Sequence, residues 1–334
     1  MKKMAELGEF GWLKKLLPRL YWPPSLRSQL CIGPGDDAGV LRISPGKVLV
    51  ATTDAMVEGI HFETKWLSWE DLGYKVLAVN LSDLAAMGDV TPVAALVTAS
   101  FPGDTSVDTV DKLYKGLKRC AQRWKTGLLG GDTVGSKRDC IVSVTAFGEA
   151  RQQDLLMRSG ARPGDYLVAT GELGLAAAGL EVLQTGFKGL SWTRPLVQAF
   201  VHPQPKFAAA KILGRARLAT SLLDVSDGLE ASVRLLAEAS GTGSEIDLTW
   251  LPISKALSRW ARRRSRHPWD YALKGGEDYE LLFTTRPKDW QEVRRRIPGV
   301  AVIGRILPKG KGCWAVLPGR RHPLKGYGFS HFNA

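Results

Sequence analysis

The run LGYKVLAVNLSDLAAMGDVTP, residues 72–92, holds the helix-to-strand transition from which the architecture can be read. Leu72, Val76, Val79 and Leu84 recur at helical spacing, which predicts one long helix over 70–87 with an apolar side turned to a core. Gly88 and Asp89 punctuate it, and Pro92 to Phe101 then reads as a strand. Asp83 breaks the pattern. A carboxylate inside an otherwise apolar helix is costly without a partner, and a metal or another cation is the economical one.

Outward from this run, strand-like and helix-like segments alternate. Lys47 to Thr53 is β-branched and apolar, a buried strand ending at Asp54, while 106–124 has the pattern of an amphipathic helix and 140–149 that of a strand. Pro18, Pro23 and Pro24 interrupt the first segment, so a first domain is expected over 25–150. The polar loop at 150–164 ends in Pro-Gly, and a second domain is expected over 155–334. There, strands are expected at 166–169, 221–225, 279–285 and 300–306, and helices from Leu173, from Leu229, near 255–266 and at 288–296. Mixed α and β without strict βαβ regularity implies two α+β or α/β layers, not a doubly wound nucleotide fold.

Composition narrows the classes. The chain has 334 residues, 44% of them apolar, which is ample material for two cores. No apolar run approaches the roughly 20 residues of a membrane span, and Met1 to Glu9 has neither the apolar stretch of a secretory signal nor the acid-poor character of a transit peptide. Cys31, Cys120, Cys140 and Cys313 form no Cys-x-x-Cys pair, so they are expected to be reduced thiols in a cytoplasmic protein. The net charge of +13 is uneven: residues 1–150 carry 18 basic and 17 acidic side chains, so the excess belongs to the second half. Arg259, Arg262, Arg263, Arg264 and Arg266, and Arg294 to Arg296, form its densest runs. Such runs can neutralise nucleic-acid phosphates. Without a recognisable nucleic-acid module or interleaved aromatics, a solvated helix face is the simpler expectation.

Chemistry concentrates in aspartates beside small residues: GPGDDAG (33–39), TTDAMVEGIHF (52–62), NLSDLAAMGD (80–89), GGDT (130–133), DVSDGL (224–229) and GGEDYELLF (275–283). Oxygen donors without bulky neighbours suit a hard cation, and Gly-Gly before Asp lets backbone N–H groups approach phosphate oxygens. Each element alone is as easily a turn. Six together suggest several Mg2+ ions held with a polyphosphate. Neither a P-loop nor a Gly-x-Gly-x-x-Gly turn after a strand is present, so ATP would be held by acidic metal ligands and glycine loops.

In this order the motifs, with RSGARPGD (158–165), resemble those of thiamine-monophosphate kinase, a family in the superfamily of aminoimidazole ribonucleotide synthetase and selenophosphate synthetase. The resemblance runs from Gly8 to Phe332, and NLSDLAAMG with GGEDYELLF is its most specific part. It implies a two-domain architecture like that of aminoimidazole ribonucleotide synthetase: a first, dimer-forming domain with a mixed sheet and helices, and a second domain that is an α/β sandwich. It also implies a homodimer, ATP with Mg2+, and phosphorylation of thiamine monophosphate to thiamine diphosphate. Carried over by position, the metal ligands are Asp37, Thr52, Thr53, Asp54, Asp83, Asp132, Asp224 and Asp227. ATP contacts come from Tyr114, Gly131, Asp132, Arg158 and Ser226, and substrate contacts from His61, Glu277 and Phe329. Thr52 stands where Ser is also common, and Tyr327 is a second candidate for the tail aromatic. No protein nucleophile is implied. The alternatives are another ATP-using enzyme of the superfamily, for which Cys31 does not supply a clear reactive Cys/Lys pair, and a non-catalytic nucleic-acid or anion binder using the basic second half.

Overall fold

The computed structural model describes Lys3, residues 15–32, 40–326 and Gly328, which fall into two units. One holds the chain through Leu84 together with Val90–Gln152; the other holds Ala85–Asp89 and the residues from Gln153 onward.

In the first unit, strands β1 (Leu30–Ile32) and β2 (Val40–Leu41) pair as a small hairpin. The main sheet is built from β3 (Val48–Val57), β4 (Thr91–Pro102), β5 (Gly127–Ser136) and β6 (Ile141–Ala150) in the order β3-β6-β4-β5. Its β4–β5 pair is parallel and the other two are antiparallel. Two helices accompany it, α1 (Trp69–Ala86) and α2 (Val107–Trp124). The helical periodicity holds: Leu72, Val76, Val79 and Leu84 are all buried. Ser106 caps α2 by accepting from Thr109 N at 3.1 Å. The two helices cross at glycines. A Cβ on Gly73 would lie 1.9 Å from Leu113 O, and one on Gly116 would lie 1.8 Å from Glu70 O.

Two expectations need correction here. The strand expected to be buried and to end at Asp54 runs on to Val57, paired with β6 throughout, and as an edge strand it is largely exposed, with only Met56 buried. GGDT does not form a glycine loop either: it lies inside β5, with Gly130 and Gly131 at φ 137° and 150° and Asp132 in register with Thr98. A Cβ on Gly131 would lie 1.8 Å from Val97 O, so this glycine permits the close approach of β4 and β5.

The second unit contains β7 (Tyr166–Ala169), α3 (Leu175–Gln184), α4 (Arg194–Val201), α5 (Phe207–Arg215), β8 (Ser221–Asp224), α6 (Leu229–Ser240) and β9 (Gly243–Asp247). It continues with α7 (Lys255–Arg263), α8 (Pro268–Lys274), β10 (Leu281–Thr285), α9 (Trp290–Arg296), β11 (Ala301–Leu307), β12 (Cys313–Leu317) and β13 (Arg320–Pro323). The seven strands lie in the order β13-β12-β9-β11-β7-β10-β8, and only β9–β12 is parallel. Alternation along the strands sorts two cores. Leu167, Ala169, Leu223 and Leu282 face one core with Leu229, Val233 and Leu236 of α6. Val168, Leu222, Leu281 and Phe283 face the other with Ala210 and Leu213 of α5 and Val293 of α9. Helices therefore cover both faces, as in an α/β sandwich.

A third cluster joins α3, α4, α7 and α8 around the fully buried Trp260. It accounts for much of the arginine run. Arg259 lies over the Trp192 ring at 4.3 Å, Arg263 over Phe187 at 4.5 Å, and Arg264 Nε donates to Glu181 at 3.0 Å. Arg295 and Arg296 pair with Glu292 within α9. These guanidinium groups serve local packing and ion pairing.

Candidate functional site

Strand β3 carries Thr52, Thr53 and Asp54, and α1 lies against it. Thr52 Oγ1 donates to Asp83 Oδ2 at 2.7 Å. One turn earlier on α1, the fully buried Asn80 accepts Asp54 N at 2.9 Å while its own amide donates to Val76 O at 2.8 Å. The helix thus fixes both the side chain of Thr52 and the backbone of Asp54. Thr53 points along the sheet instead, donating to Val144 O at 3.1 Å and lying 3.1 Å from Thr145 Oγ1. His61 Nδ1 accepts Val57 N at 3.0 Å, which assigns the neutral ring its proton at Nε2.

Asp132 and Gly131 lie on β5, which forms the edge of the sheet opposite β3. Tyr114 of α2 is buried near them. Burial raises its phenol pKa, a hydrogen bond with Thr133 opposes the rise, and the Asp132 charge adds to it. Asp132 and Tyr114 are therefore neighbours, while Thr52, Asp54 and Asp83 form a separate group.

In the second unit, Asp224 ends β8 and is buried, with Ser226 and Asp227 in the turn that follows. The GGEDYE segment closes over this turn: Glu277 N donates to Ser226 O at 2.6 Å and Tyr279 N to Val225 O at 2.9 Å. The returning tail also meets it, since a Cβ on Gly328 would lie 2.1 Å from Asp227 O. Arg158 is exposed, and its carbonyl accepts the Ser240 hydroxyl at 3.4 Å. Asp37, Phe329 and the alternative Tyr327 lie outside the described residues.

The donors fit Mg2+ in kind, being carboxylate and hydroxyl oxygens with the Thr52–Asp83 pair already in contact. Among the described residues, no three acidic, thiol or imidazole side chains converge as a preformed metal group. Two residues bearing on the site were not singled out from sequence: Asn80 and Thr133. Asn80 had a legible signal, a lone amide in an apolar helix one turn from Asp83.

Residues 35–150 match the family described as AIR synthase related protein, N-terminal domain, and residues 162–313 match its C-terminal domain. A thiamine-monophosphate kinase of Bacillus subtilis is 34% identical over 320 residues, covering 91% of this chain and 93% of the relative. The chain belongs to the thiamine-monophosphate kinase family. Membership places it among kinase enzymes of two-domain, aminoimidazole ribonucleotide synthetase-like fold. A solved thiamine-monophosphate kinase from Stenotrophomonas maltophilia superposes with a TM-score of 0.80 at 32% identity, covering 91% of this chain and 95% of that one. A structure described as AaThiL complexed with AMPPCP and TMP gives 0.78 at 32% identity over 99% of both chains. No described helix is long and apolar enough to cross a membrane.

Proposed function

We propose that the protein transfers the terminal phosphoryl group of ATP directly to the phosphate of thiamine monophosphate, forming thiamine diphosphate with Mg2+. The observation that carries this reading is the oxygen group on β3 and α1, Thr52 with Asp83 and Asp54 with Asn80, in a chain of this kinase family. The acceptor is a phosphate monoester with a second pKa near 6, so it is mostly a dianion at neutral pH and needs no general base. What remains for the protein is in-line positioning and neutralisation of two polyanions.

Asp37, Thr52, Thr53, Asp54, Asp83 and Asp132 in the first unit, and Asp224 and Asp227 in the second, are the residues we assign to metal. Bound Mg2+ would supply positive charge to bridging phosphate oxygens. Tyr114, Gly131, Asp132 and Ser226 are assigned to ATP, together with Arg158, whose fork geometry suits phosphate. For the thiamine moiety we assign His61, whose Nε2–H can donate; Glu277, a counter-charge for the cationic thiazolium; and Phe329, an aromatic face. The domain over 25–150 would carry ATP, metal and dimerisation, and that over 155–334 would complete the phosphate and thiamine contacts.

A homodimer formed through the first units is part of this reading. Both sheet edges there, β3 and β5, lack a strand partner among the described residues, and Leu49, Val134 and Ile141 are large apolar side chains left exposed on the sheet. Long edges of this kind call for a cover. A cytoplasmic location is supported by thiol usage: Cys120 and Cys140 are buried and free, and burial pushes the Cys140 thiol up to about 12.

Incubation with ATP, Mg2+ and thiamine monophosphate, followed by chromatography, tests the reaction. Thiamine diphosphate and ADP in equal amounts are expected, and their absence from folded protein would overturn it. Sedimentation of the same sample tests the dimer, for which a monomer at micromolar concentration is the adverse result.

A further inference from the structure

Helix α3 begins without a cap of its own. Its N-cap residue, Gly174, has φ 83° and no side chain to accept the first amides. The acceptor comes from far along the chain: Asp278 takes Gly174 N at 2.6 Å and Ala176 N at 3.1 Å. A carboxylate here satisfies orphan donors and meets the positive end of the helix dipole.

A local Ser or Asp would cap the helix as well, so the use of Asp278 asks for another explanation. Its two neighbours supply one. Glu277 and Tyr279, on either side, sit at φ 69° and 50°, in the left-handed region that side-chain-bearing residues rarely occupy. Such strain persists only where the surroundings over-determine it. Here the contacts of four consecutive residues do so. Glu277 N is tied to Ser226 O, Tyr279 N to Val225 O, Asp278 to the first turn of α3, and Glu280 to Thr170 Oγ1 at 2.6 Å and Lys206 Nζ at 2.7 Å. Gly276 fits the same turn, since a Cβ there would lie 2.5 Å from Ser226 O.

We infer that Asp278 is a positioning residue that, by clamping this segment to α3, holds Glu277 in its strained conformation beside Ser226 for contact with the thiamine moiety. The inference rests on the proposed function, in which Glu277 meets that substrate. Asp278 itself touches helix amides and acts through Glu277. The groups facing its enclosed carboxyl are the amides of Gly174, Leu175 and Ala176 and the charge of Glu280, which Lys206 in turn neutralises.

Steady-state kinetics of the full chain test it, with Asp278→Ala, Asp278→Asn, Glu277→Gln and the Glu277→Gln/Asp278→Ala pair. Asp278→Ala is expected to raise KM for thiamine monophosphate about tenfold, leave KM for ATP within about twofold, and be partly rescued by Asn, which keeps an acceptor oxygen. The double variant should lose no more than Glu277→Gln alone. Equal rises in both KM values, a loss confined to kcat, or additive losses would each overturn the positioning role. If Asp278→Ala fails to fold, the comparison of Asp278→Asn with the Glu277→Gln pair decides by the same criteria. A wild-type protein that forms no thiamine diphosphate would overturn the functional reading and this inference together, whereas an active wild type with an unchanged KM in Asp278→Ala overturns the inference alone.

Discussion

Thr52 on β3 donates its hydroxyl to the carboxylate of Asp83 on α1 across 2.7 Å, joining two motifs that lie 31 residues apart in sequence. Asp83 is half-buried, and the bond orients one of its oxygens. If Asp83 ligates metal, Thr52 fixes its aim, and partners of ligands are worth about 10–100-fold in metal affinity or activity. Thr52→Val should therefore raise the Mg2+ concentration needed for half-maximal turnover by about tenfold, and Asp83→Ala should lower kcat/KM by more than about 100-fold. Thermal melting is expected to change little in either variant. A magnesium titration of ADP release is the measurement, and full activity of Asp83→Ala would remove the residue from the metal site.

Burial against α3 raises the Asp278 carboxyl from the ordinary 3.8 to about 7, against the opposing pull of the helix amides. Between these values the folded protein holds a proton that the unfolded chain has released. Stability from this group is thus fully present below about pH 4 and is lost as the pH rises toward 7. Asp278→Asn cannot titrate. Its unfolding free energy should gain on the wild type by up to about 4 kcal/mol between pH 4 and pH 7, with no further gain above that. Urea melts across this range measure the difference, and parallel curves for the two proteins would contradict the raised value.

The elements readable from sequence were those with uninterrupted periodicity. Helix α1, strand β4 and helix α6 announce themselves because their apolar spacing is set by the cores they face. Strand β5 does not: GLLGGDTVGS has too many glycines and polar residues to read as a strand, and it is one because Gly131 lets β4 approach and supply the pairing. Helices α4 and α5 flank the Pro-rich segment at 203–205 and were hidden by it. The site behaves in the same way. Residue types that cannot be spent in a core, such as Asp83, were visible as acids out of place. Asn80 and Asp278 were visible as polar residues, but the backbone amides that they accept, Asp54 N and the first amides of α3, are set by the fold.

The α1–α2 crossing gives a direct test of packing. Ala is the better helix former by about 1 kcal/mol relative to Gly, so propensity alone predicts that Gly116→Ala stabilises. The added Cβ would sit 1.8 Å from Glu70 O, however, and neither helix backbone can yield without disturbing the other. Overpacking of this kind costs about 1–3 kcal/mol or more, so a net loss is expected, read as a lower urea midpoint at an unchanged slope. A variant as stable as the wild type would rule out the crossing.

The arginine run offers the last test, because its basic charge has a structural employer. Glu181 of α3 accepts from Trp260 Nε1 at 2.8 Å and Arg264 Nε at 3.0 Å, and also from Tyr271 Oη. Burial alone would push its carboxyl up, but the hydrogen bonds from Tyr271, Trp260 and Arg264 outweigh it and hold the group below its ordinary value. The stability it contributes is therefore present at neutral pH and is lost as the pH falls through that lowered value. Removing the carboxylate leaves an indole N–H, a phenol and a guanidinium without their shared acceptor. Glu181→Ala should cost about 1–3 kcal/mol at neutral pH, mostly because the buried Trp260 N–H loses its acceptor, while solvent screens the pairing with the exposed Arg264. With Arg264→Ala added, the loss should be smaller than the sum of the single losses, since the second change discharges the stranded cation. Chemical denaturation of the two single variants and the double variant gives the coupling directly. Additive losses, together with tight salt-sensitive oligonucleotide binding that disappears in Arg264→Ala, would instead assign the run to a polyanion partner.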